Sequence, residues 1–360
     1  MKNKLKLILI ALTPITLIFN IILKKYPKFV EKNYSNSINK WTRQIQNSIV
    51  GIFPFSLAEI LCVSLIICLL IFIVILCVKI KRGGALAQLI NIFTYLSVLY
   101  VLFMFLWGFN YSRLSFDKIA GLKIENSTED QLKGLCQELI GNANNLRSKV
   151  KVSAEGIMVE PGGYKDVFNR EQKGYEKATL IFPELGGRYS KPKPILLSQP
   201  MCYTGITGIY IPYTGEANVN VEIEDFSLPS TAAHEMAHQR GFAKEDEANY
   251  IAYLTCELNP DVDFQYSGVM DALGYSMKAL ADIDIKAYET MKKQYSEGVK
   301  IDLEAENEFW KKYNGKIQQI SNEVNNSYLK SNGQKEGTKS YGKMVDLLLA
   351  QYKKDRQYVQ

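Results

Sequence analysis

Three runs of apolar residues, 5–23, 57–78 and 86–109, dominate the first third of this 360-residue chain and decide where it can sit. Each meets the length of about 20 residues that a helix needs to cross the hydrocarbon core of a bilayer. The second is almost unbroken Leu, Ile, Val, Phe and Cys, so it has no polar face to turn to water. The third carries Gln88, Asn91 and Thr94 in its first half and leaves through Trp107, Phe109 and Tyr111, aromatic side chains suited to a membrane interface. The first follows Lys2, Lys4 and Lys6, as a secretory signal would. Pro14 sits inside it and no small-x-small cleavage site follows, so an uncleaved anchor is expected. Residues 1–111 therefore read as a membrane anchor of three transmembrane helices, with the lipid bilayer as its partner.

Basic residues set the expected orientation. The turn between the second and third runs is Lys79-Ile80-Lys81-Arg82-Gly83-Gly84, the densest positive cluster beside a membrane end. Placing it in the cytoplasm puts the N-terminal lysines there too and leaves both the 24–56 loop and everything after Phe109 outside. Lys24, Lys25, Lys28, Lys32, Lys40 and Arg43 in that loop count against this arrangement. The expected location is a cell membrane, multi-pass, with an extracytoplasmic C-terminal domain. The net charge of +6, from 43 basic and 37 acidic residues, is spread along the chain and argues against a nucleic-acid partner. Cys62, Cys68 and Cys77 fall inside the second run, where thiols act as small hydrophobes. Cys136, Cys202 and Cys256 are widely spaced with no C-x-x-C, so neither a disulfide framework nor a cysteine-rich zinc site is indicated.

Residues 112–360 are long enough for a core of their own. Thr128-Glu129-Asp130-Gln131 is a capping box that opens a helix to about residue 149. A second helix is expected over 164–182, stopped by Pro183 and Gly186-Gly187. Residues 191–224 read as two or three short strands with glycine turns. From Pro229 the pattern is helical, broken at Gly241, Asn259-Pro260 and 332–337. The expected class is α+β, mostly helical, with a small β-sheet just before the helix at 229.

That helix carries the chemistry. Ser230-Thr231-Ala232-Ala233-His234-Glu235-Met236-Ala237-His238 contains H-E-x-x-H. Residues i and i+4 of a helix share a face, so His234 and His238 can both present a nitrogen to one tetrahedral zinc ion, and Glu235 stands beside them as a general base for water. Ser227 or Ser230 can cap the helix, Pro229 suits its first turn, and the alanines favour it. The chain has only two histidines. Placed at random they would fall in this pattern roughly once in 3,000 chains, well beyond the usual chance rate of so short a motif.

With no third histidine, the remaining ligand has to be a carboxylate or a thiolate. Gly241 is placed to end the helix in a left-handed cap and turn the chain back into a helix over 245–258. Its first turn is Glu245-Asp246-Glu247. Ala248, Ile251, Ala252, Thr255 and Leu258 form its buried stripe, which leaves Glu245 and Glu247 on opposite edges and turns Asp246 to solvent. Glu245 shares its edge with small residues that permit close approach, so it is the preferred ligand, with Glu247 the alternative. Asn249, one turn on, is a candidate second hydrogen-bonding layer. Oxyanion stabilisation needs a further donor, and Tyr341 and Tyr275 are the candidates. The 208–224 hairpin offers a strand edge for an extended peptide.

H-E-x-x-H followed by Glu245-Asp246-Glu247-Ala248-Asn249 resembles the Glu-x-x-Ala-Asp arrangement of gluzincin membrane peptidases, such as the CAAX prenyl endopeptidase and heat-shock HtpX-like groups. There the first Glu binds zinc and the residue four on orients a histidine. This chain has Asn249 in that place and a much shorter gap between motifs. More of the chain resembles an uncharacterised bacterial family, the domain of unknown function 3810 group. That likeness runs from the N-terminal spans through Gly-Ile-Tyr-Ile-Pro-Tyr-Thr-Gly-Glu-Ala-Asn-Val-Asn at 208–220 and His-Glu-Met-Ala-His-Gln-Arg-Gly at 234–241, into Tyr-Leu-Lys at 328–330 and Ser-Tyr-Gly at 340–342. The resemblance implies a zincin-like domain. The expected activity is peptide-bond hydrolysis by a membrane-anchored metallopeptidase with one Zn2+, acting on a cell-wall peptide or a membrane protein. The alternative is a zinc-binding pseudo-peptidase that serves as a membrane scaffold or peptide-binding module.

Overall fold

A computed structural model describes residues 2–357; Met1 and the last three residues of the expected 112–360 domain lie outside them. The three apolar runs form helices α1 (Lys2–Leu23), α4 (Leu57–Arg82) and α5 (Ala85–Leu106), each long and apolar enough to cross a membrane. The second is longer than expected and stops where Gly83 and Gly84 take positive φ. The third ends earlier, at Leu106, and a 3-10 turn over Gly108–Ser112 carries the aromatic exit. The polar residues of these runs tie the helices to one another. Thr13 and Ser97 hydroxyls meet at 2.6 Å between α1 and α5, Lys6 Nζ donates to Asn91 Oδ1 at 2.6 Å, and Gln88 donates to the Phe72 carbonyl at 3.0 Å. In a medium without water such bonds have no competitor.

The 24–56 stretch, expected as a loop, is mostly helical: α2 (Pro27–Val30), a π-helical segment Glu31–Ile38, and α3 (Asn39–Val50). It packs onto the C-terminal part of the chain. Arg43 is 1 % exposed and donates to the carbonyls of Ser35, Asn39 and Gln239, while Glu31 pairs with Arg113 at 2.7 Å. Ser56 donates to Asn218 at 2.7 Å, and the Glu216 carboxylate accepts from the first N–H groups of α4. The expected boundary at 111/112 therefore runs through continuous packing.

Beyond the spans come α6 (Phe116–Ala120) and α7 (Glu129–Arg147), the latter opened by the expected Thr128–Gln131 capping box. The single helix expected at 164–182 is two, α8 (Gly163–Arg170) and α9 (Gln172–Ile181). Three short strands follow, β1 (Lys193–Pro194), β2 (Gly208–Ile211) and β3 (Glu216–Val219), with α10 (Ser198–Cys202) after the first. The sheet order is β1-β3-β2; β1 runs parallel to β3, β2 runs antiparallel to it, and β2 forms an edge. The rest is helical: α11 (Leu228–Gln239), α12 (Glu245–Leu258), α13 (Val262–Ile283), α14 (Ile285–Lys292), α15 (Glu297–Lys311), α16 (Lys316–Ser331) and α17 (Met344–Gln357). The fold is mostly helical with one small sheet. α13 forms its spine, packed on α7, α11 and α12. A buried Arg147–Asp302 pair, joined by the Tyr266 hydroxyl and the Met158 N–H, fixes α15 to the same core. All six cysteines are free thiols.

Candidate metal centre

α11 starts without a serine side-chain cap. Ser227 occupies the cap position and its side chain makes no capping bond; the Ser230 N–H donates instead to Ser267 Oγ of α13 at 2.9 Å. Tertiary contact thus replaces the local cap and fixes α11 against the spine. At the other end Gly241 has φ +85°, the left-handed cap expected of it, with its N–H on the His238 carbonyl at 2.7 Å. The chain then turns back into α12, whose first residue is Glu245.

The turn brings three side chains together. Glu245 Oε2 lies 3.3 Å from His234 Nε2 and 3.4 Å from His238 Nε2. One ligand atom from each residue falls within 4.8 Å of the others. The two imidazoles cross at 90° with centroids 4.6 Å apart, so both nitrogens reach one point without clash. His238 Nδ1 is 2.7 Å from the Phe242 carbonyl, which makes that nitrogen a donor and aims Nε2 at Glu245, where a metal would replace its proton. Burial opposes the charged form of His238, yet the Glu245 carboxylate outweighs it and lifts the imidazole to about 9. Burial likewise disfavours the Glu245 carboxylate, and the two imidazoles more than reverse it, holding the group well below the usual carboxylate range. Glu235, buried on the same helix, is pushed up to about 7 by desolvation, against the pull of the histidines. Its Oε2 is buried with no hydrogen-bond partner.

Glu247 does not join the group: it pairs with Lys244 at 2.8 Å on the other edge of α12, as the helical phase requires. Asp246 is half-buried rather than turned to solvent, because α12 is enclosed by α9, α11, α13 and α17, and its buried surface is far wider than the expected stripe. Asn249 does not reach a histidine. Its amide donates to the Tyr341 carbonyl at 3.3 Å, and the Phe242 carbonyl holds His238 in its stead.

The three groups line a cleft of about 890 Å3, with Glu235 and Asn249 beside them. Tyr341 and Tyr275 both line it. The Tyr341 ring lies nearly parallel to that of His234, 6.4 Å away, and its hydroxyl accepts from Asn325 at 3.4 Å. Several cleft residues were outside the reading of the sequence. Trp107, at the exit of α5, packs edge-on to His238 at 5.5 Å; Tyr111 and Tyr328 share a hydroxyl contact of 3.2 Å; Asp271 of α13 lies on the His234 side. They come from three distant parts of the chain, and no local pattern links them to the motif. Gly208 of β2 abuts Glu235 so closely that a Cβ there would lie 2.6 Å from Glu235 Cγ.

A family profile described as Protein of unknown function (DUF3810) matches residues 34–349, a region that begins within the π-helical segment before α3. No curated protein and no solved structure matches the chain.

Proposed function

We propose that this chain, which belongs to the DUF3810 family, is a membrane-anchored peptidase whose site holds one zinc ion through His234, His238 and Glu245. The observation that carries the reading is the convergence of two imidazole Nε2 atoms on one oxygen of Glu245. Two neutral imidazoles and a carboxylate are a zinc donor set, and three protein ligands leave a fourth position open to the cleft. A closed structural site would need a fourth ligand, and among the described residues no further His, Cys, Asp or Glu joins the cluster. The orphaned Glu235 Oε2 fits a site whose other occupants, a cation and water, face that oxygen.

When bound, zinc supplies a Lewis acid for a peptide carbonyl and brings the pKa of a bound water to about 7. Glu235, raised to about 7 itself, accepts the proton of the attacking water and passes it to the leaving amine. Tyr341 and Tyr275 are the hydroxyls in the cleft suited to donate to the developing oxyanion. The free edge of β2 can pair with an extended substrate backbone. The same reading takes the sheet and the α11–α12 pair as a zincin-like fold, and places the domain outside the cytoplasm.

The test is metal analysis of the full-length protein in detergent. About one zinc per chain is expected, lost in His234→Ala and in His238→Ala, and retained in Glu235→Gln with an unchanged melting temperature. The Gln variant should fail to rescue a deletion strain. Stoichiometric zinc in both histidine variants would remove the metal site, and full rescue by Glu235→Gln would remove catalysis.

A further inference from the structure

We infer that the cleft opens sideways into the bilayer and receives the juxtamembrane stretch of a membrane-tethered polypeptide. This rests on the peptidase reading and names the class of chain that its site takes.

The first observation is depth. The cleft wall includes Cys62 of α4 and Phe103 of α5, residues of the spanning helices themselves. Cys62 lies six positions beyond the Ser56 cap, about 9 Å down the axis of α4. The β2–β3 turn descends as far: Tyr213, also in the cleft wall, donates its hydroxyl to the Leu99 carbonyl at 3.0 Å, about 10 Å before the end of α5. A cleft walled by the beginning of one span and the end of the next sits at lipid head-group depth.

The second observation is the rim. α16 bridges the mouth and is pinned at both ends. Tyr313, just before it, meets the Tyr203 ring at 5.0 Å, and Tyr328 near its end meets the Phe103 ring of α5 at 6.3 Å. Between these points Ile317, Ile320 and Val324 share one face and are 57, 61 and 64 % exposed. A helix on a water-soluble domain turns such a stripe inward. Val324 also lines the cleft, so the stripe borders the opening. Leu196 and Leu197, exposed as well, are fastened by their N–H groups to Glu59 in the first turn of α4. The apolar rim is thus continuous with the lipid-facing sides of α4 and α5, and the bilayer that covers those helices covers the rim.

The third observation is direction. β2 begins at Gly208, against Glu235, and runs to Ile211, where the turn anchored on Leu99 begins. A chain paired along this edge runs from the metal ligands toward the bilayer. The path from Gly208 to Tyr213 is five residues, the first part of it extended along β2, which puts the bond presented to Glu235 about five residues from the point where a tethered substrate leaves the lipid. A free water-soluble peptide has nothing to offer the rim; an acyl chain or a spanning segment does.

The test uses the full-length chain in phosphatidylcholine–phosphatidylglycerol vesicles and two photolabels. Lipids with a diazirine on the upper acyl chain should label Ile320 and Val324 as well as the three spans; labelling confined to the spans overturns the inference. A mixed-sequence benzophenone peptide, joined to a dipalmitoyl anchor through a spacer of about five residues or one ten times longer, should label 206–213 and 321–328 at least ~10-fold better in the short form, since effective concentration falls steeply with tether length. Equal labelling by both forms overturns it. Neither label requires hydrolysis. A protein that binds the short tether and cuts nothing refutes the peptidase reading alone, whereas an unlabelled rim refutes this inference alone.

Discussion

At the scale of the residue, the absence of a side chain at Gly208 does as much as the presence of one at Glu235. A Cβ at 208 would lie 2.5–2.8 Å from three atoms of the Glu235 side chain, too close for any real contact. Gly208→Ala should therefore displace the base and leave the zinc ligands where they are. Turnover should fall by at least about 10²-fold, as for loss of a general base, with zinc content unchanged. Loss of zinc in this variant would mean that β2 supports the ligands rather than the base. Glu245 and Glu247 separate just as cleanly. Glu245→Ala should strip the metal, while Glu247→Ala breaks only the pair with Lys244, costs about 1 kcal/mol, and leaves zinc in place in metal analysis. The convergence of His234, His238 and Glu245, with Glu235 beside them, was legible in the sequence because helical phase and a glycine cap are local rules acting over a dozen residues. Trp107, Tyr111, Tyr328 and Asp271 were not, because they reach the cleft through contacts between distant segments. The partner of Asn249 was hidden for the same reason: the Tyr341 carbonyl is 92 residues away.

Among the elements, the turn between α11 and α12 decides how far Glu245 stands from the histidines, and side chains from far up the chain grip it. Arg43 of α3 donates to the Gln239 carbonyl at 3.1 Å and its guanidinium fills the space beside Gly241; Arg113 stacks on the Phe242 ring at 3.7 Å. Arg43→Lys keeps the charge but cannot reach three carbonyls from one planar fork. It should weaken zinc about 10–100-fold in a chelator competition, the loss usual for a group that orients ligands, while the protein stays folded. Unchanged affinity would make the grip structural only. The sequence showed α11 and α12 almost to the residue and concealed α3, whose polar π-helical approach has no apolar period to read. A second element-level expectation concerns pH. Burial, then the charge of Glu306, raises Glu224 beside α11 to about 7, and burial with Asp271 raises Glu306 on α15 to about 7. Both values lie above the unfolded 4.5, so the stability they contribute is complete below about pH 4.5 and is lost as pH rises through 7. The melting temperature should drop between pH 5 and 8, and Glu306→Gln should flatten that drop; an identical pH profile in the variant would rule these carboxyls out.

For the molecule as a whole, Lys79, Lys81 and Arg82 stand at the far end of α4 from the C-terminal domain, and α1 begins at that same end. A reporter fused after residue 83 should read cytoplasmic and one at the C terminus extracytoplasmic. The reverse result would put the peptidase inside the cell. The anchor was plain from apolar length alone; its fusion with the domain was not, since Arg43 and Trp107 look in sequence like a topology charge and an interfacial aromatic. A fragment beginning at residue 112 keeps the whole H-E-x-x-H motif yet loses both. It should bind zinc more weakly than the full chain in the same chelator competition, and equal affinity would show that the spans merely tether.

Arg43 and the carbonyl it holds at Gln239 are 196 residues apart. At ordinary translation speeds, about 10–40 s separate their emergence from the ribosome. Through that interval the spans can enter the membrane and the α2–α3 segment can fold on its surface, while the turn that sets Glu245 against the histidines does not yet exist. The His234–His238–Glu245 cluster is the last thing to be completed, and only where the anchor is already seated. A half-made copy, passing through the same insertion apparatus as every other membrane protein, is harmless to its neighbours.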